Sequence, residues 1–283
     1  MTKKLLLLII GMFLFSTIVL AIPDPLSYYD MDIDQAPVDQ CDADNDFNVY
    51  TSATHTSTNC ANGGCLTSTP SSSHYAVSSA NFAGLGSGSH WTLSIWFYST
   101  SLAADQGLWG APVGGNGQKV STKQRDSCSE AIQMLIGTGS SWNIGLQCGS
   151  NIVSADTLYN YVQRWNGTHY TAWLNGVLDG TIVSSTTVGA LDGWELGTFD
   201  LGASEWLDGN IDEFAVWDEA LSKADIVELA TGKFASGCEF AVVDTTPPTI
   251  ATTSQNNTAP RINDVLQIGN KCTDETAISS MWY

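Results

Sequence analysis

Through most of this chain apolar and polar residues alternate with a period of two, and near its end the alternation hands over to a helical spacing. The run LDGNIDEFAVWDEALSKADIVELATG, residues 207–232, shows both. Its first half places Ile211, Glu213, Ala215 and Trp217 on one face and Asp212, Phe214 and Val216 on the other. Bulky apolar residues on both faces predict a strand that is central or covered. Its second half predicts one short helix, with Ser222 as N-cap, Asp225 as its capping-box partner, and Leu221 facing Ile226 as a hydrophobic staple. Gly232 is expected to close it as a left-handed cap. Upstream, turn signals recur about every eight to twelve residues, as a β-sandwich requires. Asn166-Gly167 and Asn175-Gly176 read as two-residue hairpin turns framing the strand THYTAWL. SEAIQMLIGTGSSWNIGLQ, between Cys128 and Cys148, reads as two adjacent strands joined by a Gly-Ser turn. The pattern is that of an all-β chain.

Run 207–232 closely resembles the last strand and closing helix of the laminin-G-like, concanavalin A-like jelly-roll family. HWTLSIWFYS (residues 90–99) is similar to that family's central strand, and VQRWNGTHYTAWLNGVLDG (162–180) to its hairpin. Fainter likenesses are LSYYDMD (26–32), similar to the opening strand, and SSHYAVSS (72–79). Together these imply a concanavalin A-like jelly-roll β-sandwich with one short C-terminal helix over residues 22–240. Residues 241–260, rich in Thr, Pro and Asn, read as a linker. Residues 261–283 alternate like strands around an Asp-Glu-Thr turn, and with DTTPPTI they resemble the opening of an immunoglobulin-like module. Such a sandwich needs about seven strands. The segment is therefore expected to be a truncated immunoglobulin-like β segment of a longer protein, leaving Cys272 without its partner; a short docking tail is the alternative.

At the other end, Lys3 and Lys4 precede an apolar run ending in Val19 and Ala21, the arrangement of a cleavable signal peptide over residues 1–21. A secreted or cell-surface location follows, and an uncleaved leader is the one route by which this reading meets a membrane. The chain carries 29 acidic and 10 basic residues, a net charge of −19, and loss of the leader leaves 8 basic residues and −21. That field excludes nucleic acid as a partner. It favours calcium or, equally, a solvated acidic surface. Seven cysteines in an exported chain read as disulfides. Cys60 with Cys65, Cys128 with Cys148, and Cys41 with Cys238 form one of about fifteen connectivities that six cysteines allow.

Glycosidases with this fold place carboxylates about two residues apart on one strand. No E-x-D-x-x-E run occurs here, and the adjacent Asp212 and Glu213 are expected to face opposite ways, so no catalytic residue is assigned. His55, His74, His90 and His169 show no metal-ligand spacing. The resemblance implies a structural calcium ion where the first and last strands meet, with Asp212 and Asp30 as ligands. The residues read equally well as a hydrogen-bonded Asp212 that fixes the strand pair. Asp42, Asp44 and Asp46 have the spacing of a calcium loop, but Phe47 and Ala53 stand where such a loop needs Gly and Glu. Of the ten tryptophans, Trp96, Trp173 and Trp217 fall in strand patterns and read as core or half-buried sheet residues. Trp109, Trp142, Trp194 and Trp206 lie beside Gly and Ser in expected loops, where an exposed indole stacks on a sugar.

The sequence therefore points to a secreted or surface-displayed, non-catalytic recognition module for a glycan or an extracellular protein. The alternatives are a structural stalk or envelope element, or an accessory domain of a larger extracellular glycosidase.

Overall fold

Two antiparallel sheets, of eight and seven strands, are packed face to face. The computed structural model describes residues 22–32, 38–41, 47, 49–50, 54–69, 76–81, 85, 90–102, 105–111, 120–124, 128–139, 141–189, 191–198, 205–232, 249–251 and 271–273. The chain divides into two compact units, Met1–Glu239 and Phe240–Tyr283. The sandwich occupies the first. Its eight-stranded sheet runs β13 (Val177–Val183), β12 (His169–Leu174), β11 (Thr157–Trp165), β6 (Trp91–Ser99), β15 (Gly209–Trp217), β4 (Cys65–Ser68), β3 (Thr54–Thr56), with β1 (Ser27–Tyr29) also paired to β15. Its seven-stranded sheet runs β10 (Gly145–Ile152), β9 (Ala131–Ile136), β8 (Val120–Gln124), β7 (Gln106–Gly110), β14 (Asp192–Leu196), β5 (Ala76–Asn81), β2 (Val49–Tyr50). In the second unit β16 (Thr249–Ala251) pairs with β17 (Lys271–Thr273). β16 falls inside the stretch expected to be a linker, where the β-branched Thr249 and Ile250 favour a strand.

Alternation within β6 sets the inner face. Trp91, Leu93, Ile95 and Phe97 join Tyr161 and Trp165 of β11 and meet Trp109, Met134 and Trp194 from the opposite sheet in one core. Five tryptophans, Trp91, Trp109, Trp165, Trp194 and Trp217, are fully buried. Each takes about 200 Å² from water, roughly 5 kcal/mol before conformational entropy is charged against it.

A second, smaller cluster covers part of the outer face of the eight-stranded sheet. Val162, Trp173, Ala215 and Trp217 lie beneath Leu221, Ile226 and Leu229 of the helix α1 (Lys223–Leu229) and its approach. The Ser222 hydroxyl accepts from the Asp225 amide at 3.3 Å and the Asp225 carboxylate accepts from the Ser222 amide at 2.9 Å, the expected capping box. The helix ends two residues short of the expected glycine: Ala230 is the C-cap, and Gly232 takes its left-handed conformation (φ 79°) beyond it. Arg164 Nη1 donates to the Leu221 carbonyl at 2.8 Å, with its guanidinium 5.6 Å from the Trp173 ring centre, clamping this cap to the sheet.

Asn175-Gly176 forms the expected two-residue turn, both residues left-handed at φ 48° and 75°. Asn166-Gly167 does not. There the Asn166 side-chain oxygen accepts from the Thr168 amide, the Thr168 hydroxyl and the His169 amide, and this local capture widens the loop between β11 and β12 to residues 166–168.

The larger correction concerns β15. Asp212 pairs with Trp96, yet Ala215 pairs with Ser94, so three steps on β15 span two on β6 and one residue bulges. Glu213 takes up the extra residue in a left-handed conformation, φ 52°. The bulge resets the alternation, so that Ile211, Phe214 and Val216 all face the inter-sheet core while Ala215 and Trp217 face the helix.

Candidate functional site

Because of that bulge, Asp212 and Glu213 do not face opposite ways. Asp212 Oδ2 accepts from the amides of Ala61 and Asn62 at 2.8 and 3.0 Å, and Oδ1 accepts from the Glu213 amide at 2.9 Å. Glu213 Oε2 accepts from the hydroxyl of Tyr28 in β1. Tyr28 belongs to the outer cluster, so both carboxylates stand on the outer side of the sheet. Both are buried, 1 % and 3 % exposed. Burial pushes the Asp212 carboxyl up to about 8, with the neighbouring Glu213 adding to it and the three backbone amides opposing. Burial likewise raises Glu213 to about 7, against hydrogen bonds from Tyr28 and Asn62, while Asp30 and Asp32 push it upward. Tyr28 is raised by burial first and by its bond to Glu213 second.

The loop that Asp212 holds is closed by the Cys60–Cys65 disulfide. Asp32 Oδ1 accepts from the Gly64 amide at 2.7 Å on its other side. Gly63 is left-handed (φ 50°), and a Cβ there would fall 2.1 Å from the Asp32 carboxylate, so the close approach requires glycine. Asp32, His55, Thr56, Ser57, Gly63 and Gly64 line an open cleft of about 460 Å³ beside the loop.

These bonds make Asp212 the hydrogen-bonded residue that its sequence position allows. Three of its lone-pair positions receive backbone N–H groups, two on Oδ2 and one on Oδ1. Among the described residues no group of three or more His, Cys, Asp or Glu side chains is placed to hold a metal ion. The Asp212 carboxylate thus acts as a hydrogen-bonded clasp between β15 and the loop of residues 60–65. Asp30, just past β1, accepts from the Asp32 amide at 3.3 Å. Asp42 and Asp44 lie outside the described residues.

Two of the four expected sugar-stacking tryptophans are not available to a ligand. Trp109 and Trp194 are in β7 and β14 and wholly buried, with ring centres 6.2 and 5.8 Å from that of Phe214. Their glycine neighbours lie within strands of the covered sheet, not in loops. Trp142, in the β9–β10 turn, and Trp206, just before β15, are half-buried. Cys60–Cys65 and Cys128–Cys148 are bonded as expected. Cys41 is also disulfide-bonded, and Cys238 lies outside the described residues, as does the leader. Among the described residues no helix is long and apolar enough to cross a membrane.

Sequence reasoning did not single out the pair of aromatics on the outer side of β6. On β6 the outward positions are Thr92, bonded to the Glu219 carbonyl and the Leu221 amide ahead of the helix, Ser94, bonded to Asn160, and the half-buried Trp96 and Tyr98. Trp96 stands in register with Asn160 on one side and Asp212 on the other, and Tyr98 with Leu158 and Asn210. The outward alternation within WTLSIWFYS was the available signal.

Residues 69–227 match the model of the Laminin_G_3 family, concanavalin A-like lectin/glucanases superfamily. No curated protein sequence matches the chain. Among solved structures, the binding domain of Paraclostridial Mosquitocidal Protein 1 superposes with a TM-score of 0.56 at 12% identity, over 73% of this chain and 52% of that one. Domain 4 of AbnA, an extracellular arabinanase from Geobacillus stearothermophilus solved with arabinotriose, gives 0.55 at 13% identity, over 74% of this chain and 100% of the domain. The botulinum neurotoxin serotype D ligand-binding domain, solved with N-acetylneuraminic acid, gives 0.53 at 11% identity, over 74% and 51%. The chain thus spans about half the length of the two toxin domains. With more than half of the chain matched by the family model and the two-sheet architecture in place, the chain belongs to the Laminin_G_3 family of concanavalin A-like jelly-roll domains.

Proposed function

We propose that this domain is a non-catalytic module that recognises glycans outside the cell. The observation that carries the reading is the commitment of Asp212 and Glu213. An acid–base pair must present a free oxygen to substrate. Here one carboxylate is occupied by three backbone amides, and the other is tied through Oε2 to Tyr28 with its Oε1 buried away from any substrate. What the sandwich leaves for function is surface shape and aromatic area, which suits binding. The likeness to a domain solved with arabinotriose and to toxin binding domains supports the same reading. Export through a cleaved leader, and an immunoglobulin-like spacer starting in residues 261–283, complete the proposal; the two bonded cystine pairs support the oxidising compartment.

A glycan array probed with the full chain tests it. Saturable binding to at least one glycan class, with no release of reducing sugar from that glycan, is expected. Hydrolysis would overturn the non-catalytic assignment. Silence across the array would favour the stalk.

A further inference from the structure

Asn166-Gly167-Thr168, the loop between β11 and β12, has the order in which a surface asparagine is joined to sugar: an amide, a residue other than proline, then a hydroxyl. The geometry of the loop suits that chemistry. The Thr168 hydroxyl donates to Asn166 Oδ1 at 3.1 Å, so hydroxyl and amide are presented together. The same oxygen accepts from the amides of Thr168 and His169 at 3.1 and 2.8 Å. Three donors on one atom fix which end of the amide is oxygen and turn that end into the loop. Nδ2, at the other end of the planar amide, has no hydrogen-bond partner among the described residues and reaches solvent. A sugar attached there breaks no bond of the folded chain. The loop that presents it is held: the Asn166 amide donates to the His169 carbonyl at 3.3 Å, the Ser184 amide to the Thr168 carbonyl at 3.1 Å, and Thr168 Oγ1 lies 2.7 Å from His169 Nδ1. Thr168 is exposed.

Asn175-Gly176, at the other end of β12, is the internal contrast. Asn175 is the more exposed of the two asparagines, but Val177 follows where a hydroxyl is needed, and Asn175 Oδ1 accepts from the Asn160 amide at 2.8 Å. Exposure and an Asn-Gly pair occur at both ends of the strand, whereas the bonded hydroxyl occurs at Asn166. The like triplet Asn256-Asn257-Thr258 lies outside the described residues.

We infer that Asn166 is the attachment site of an N-linked glycan. The co-reactant is a sugar held through its anomeric carbon by a lipid diphosphate and presented by a membrane transferase as the chain is exported. Nδ2 attacks the anomeric carbon: the carbon–nitrogen bond forms and the carbon–oxygen bond to the diphosphate breaks. The diphosphate leaves with the electron pair, and one Nδ2 proton passes to a base of the transferase. This inference rests on the export part of the reading above and is independent of what the domain recognises.

The experiment is glycopeptide mass spectrometry on the full chain recovered from the medium or cell surface of the organism that makes it, with fragmentation that leaves the sugar on its residue. A saccharide on Asn166 and none on Asn175 is expected. Asn166→Gln and Thr168→Ala should each lose that saccharide completely, and Thr168→Ser, which keeps the hydroxyl, should retain it. Thr168→Ala and Thr168→Ser carry the test if Asn166→Gln lowers the melting temperature, since Thr168 is at the surface. A bare Asn166 in the exported chain overturns the site. A saccharide that survives Thr168→Ala overturns it too, because the modification would then not depend on the hydroxyl; neither result touches glycan recognition. A chain found only inside the cell overturns the export reading and the site with it.

Discussion

Tyr28 in the first strand donates its hydroxyl to Glu213 in the last strand of the sandwich, joining residues 185 positions apart at the point where β15 bulges. The bond explains why an unfavourable backbone conformation persists there. A left-handed glutamate costs about 1 kcal/mol or more, and the extra residue it accommodates turns Phe214 and Val216 into the core. Tyr28→Phe removes the donor and leaves a buried carboxylate with less compensation. The expected loss is about 1–3 kcal/mol, a fall of roughly 3–10 °C in melting temperature by calorimetry. A variant melting with the parent would mean that the bond does not hold the bulge.

The same pair sets a pH dependence. Asp212 and Glu213 have folded-state values near 8 and 7, above their ordinary 3.8 and 4.5, so over that interval the folded state binds more protons than the unfolded one. Stability is then greatest at acid pH and falls as pH rises through the folded values. Urea midpoints are expected to be higher at pH 5 than at pH 8.5, and Glu213→Gln should flatten the part of that slope below about pH 7, leaving Asp212 to set the part above it. A midpoint that rises over this range would contradict the assignment.

How much of this was legible in the sequence follows from which interactions are local. The capping box at Ser222 and Asp225 and the Asn175-Gly176 turn are set within a few residues, and each formed as read. The bulge was not read, because the adjacent acidic residues Asp212 and Glu213 interrupt the alternation without showing which of them is the extra one, and only a partner from β1 reveals that a glutamate occupies the left-handed position. Trp109 and Trp194 misled for a related reason. Glycine beside tryptophan reads locally as a loop, whereas here glycines fall within strands of a covered sheet.

Asp212 also bears on calcium. Since its oxygens are engaged by the amides of Ala61, Asn62 and Glu213, adding calcium or chelating it is expected to leave the melting temperature within about 1 °C. Asp212→Ala, by contrast, strands three amides and should destabilise by several kcal/mol, at about 1 kcal/mol or more for each. A rise of several degrees with millimolar calcium would restore the ion to this clasp.

Gln163 offers a test of the core itself. It lies on the inner face of β11, in register with Leu93 and Ala172, and it is wholly buried, yet neither its amide nitrogen nor its oxygen has a hydrogen-bond partner among the described residues. A buried amide without partners costs about 1–3 kcal/mol, and an apolar side chain of similar size avoids that cost while keeping the packing. Gln163→Leu is therefore expected to raise the melting temperature by a few degrees, whereas Gln163→Ala should lower it by opening a cavity. The two variants separate polarity from volume. If leucine also lowers the melting temperature, the amide is satisfied by an internal water, and the core of this sandwich is partly wet at its centre.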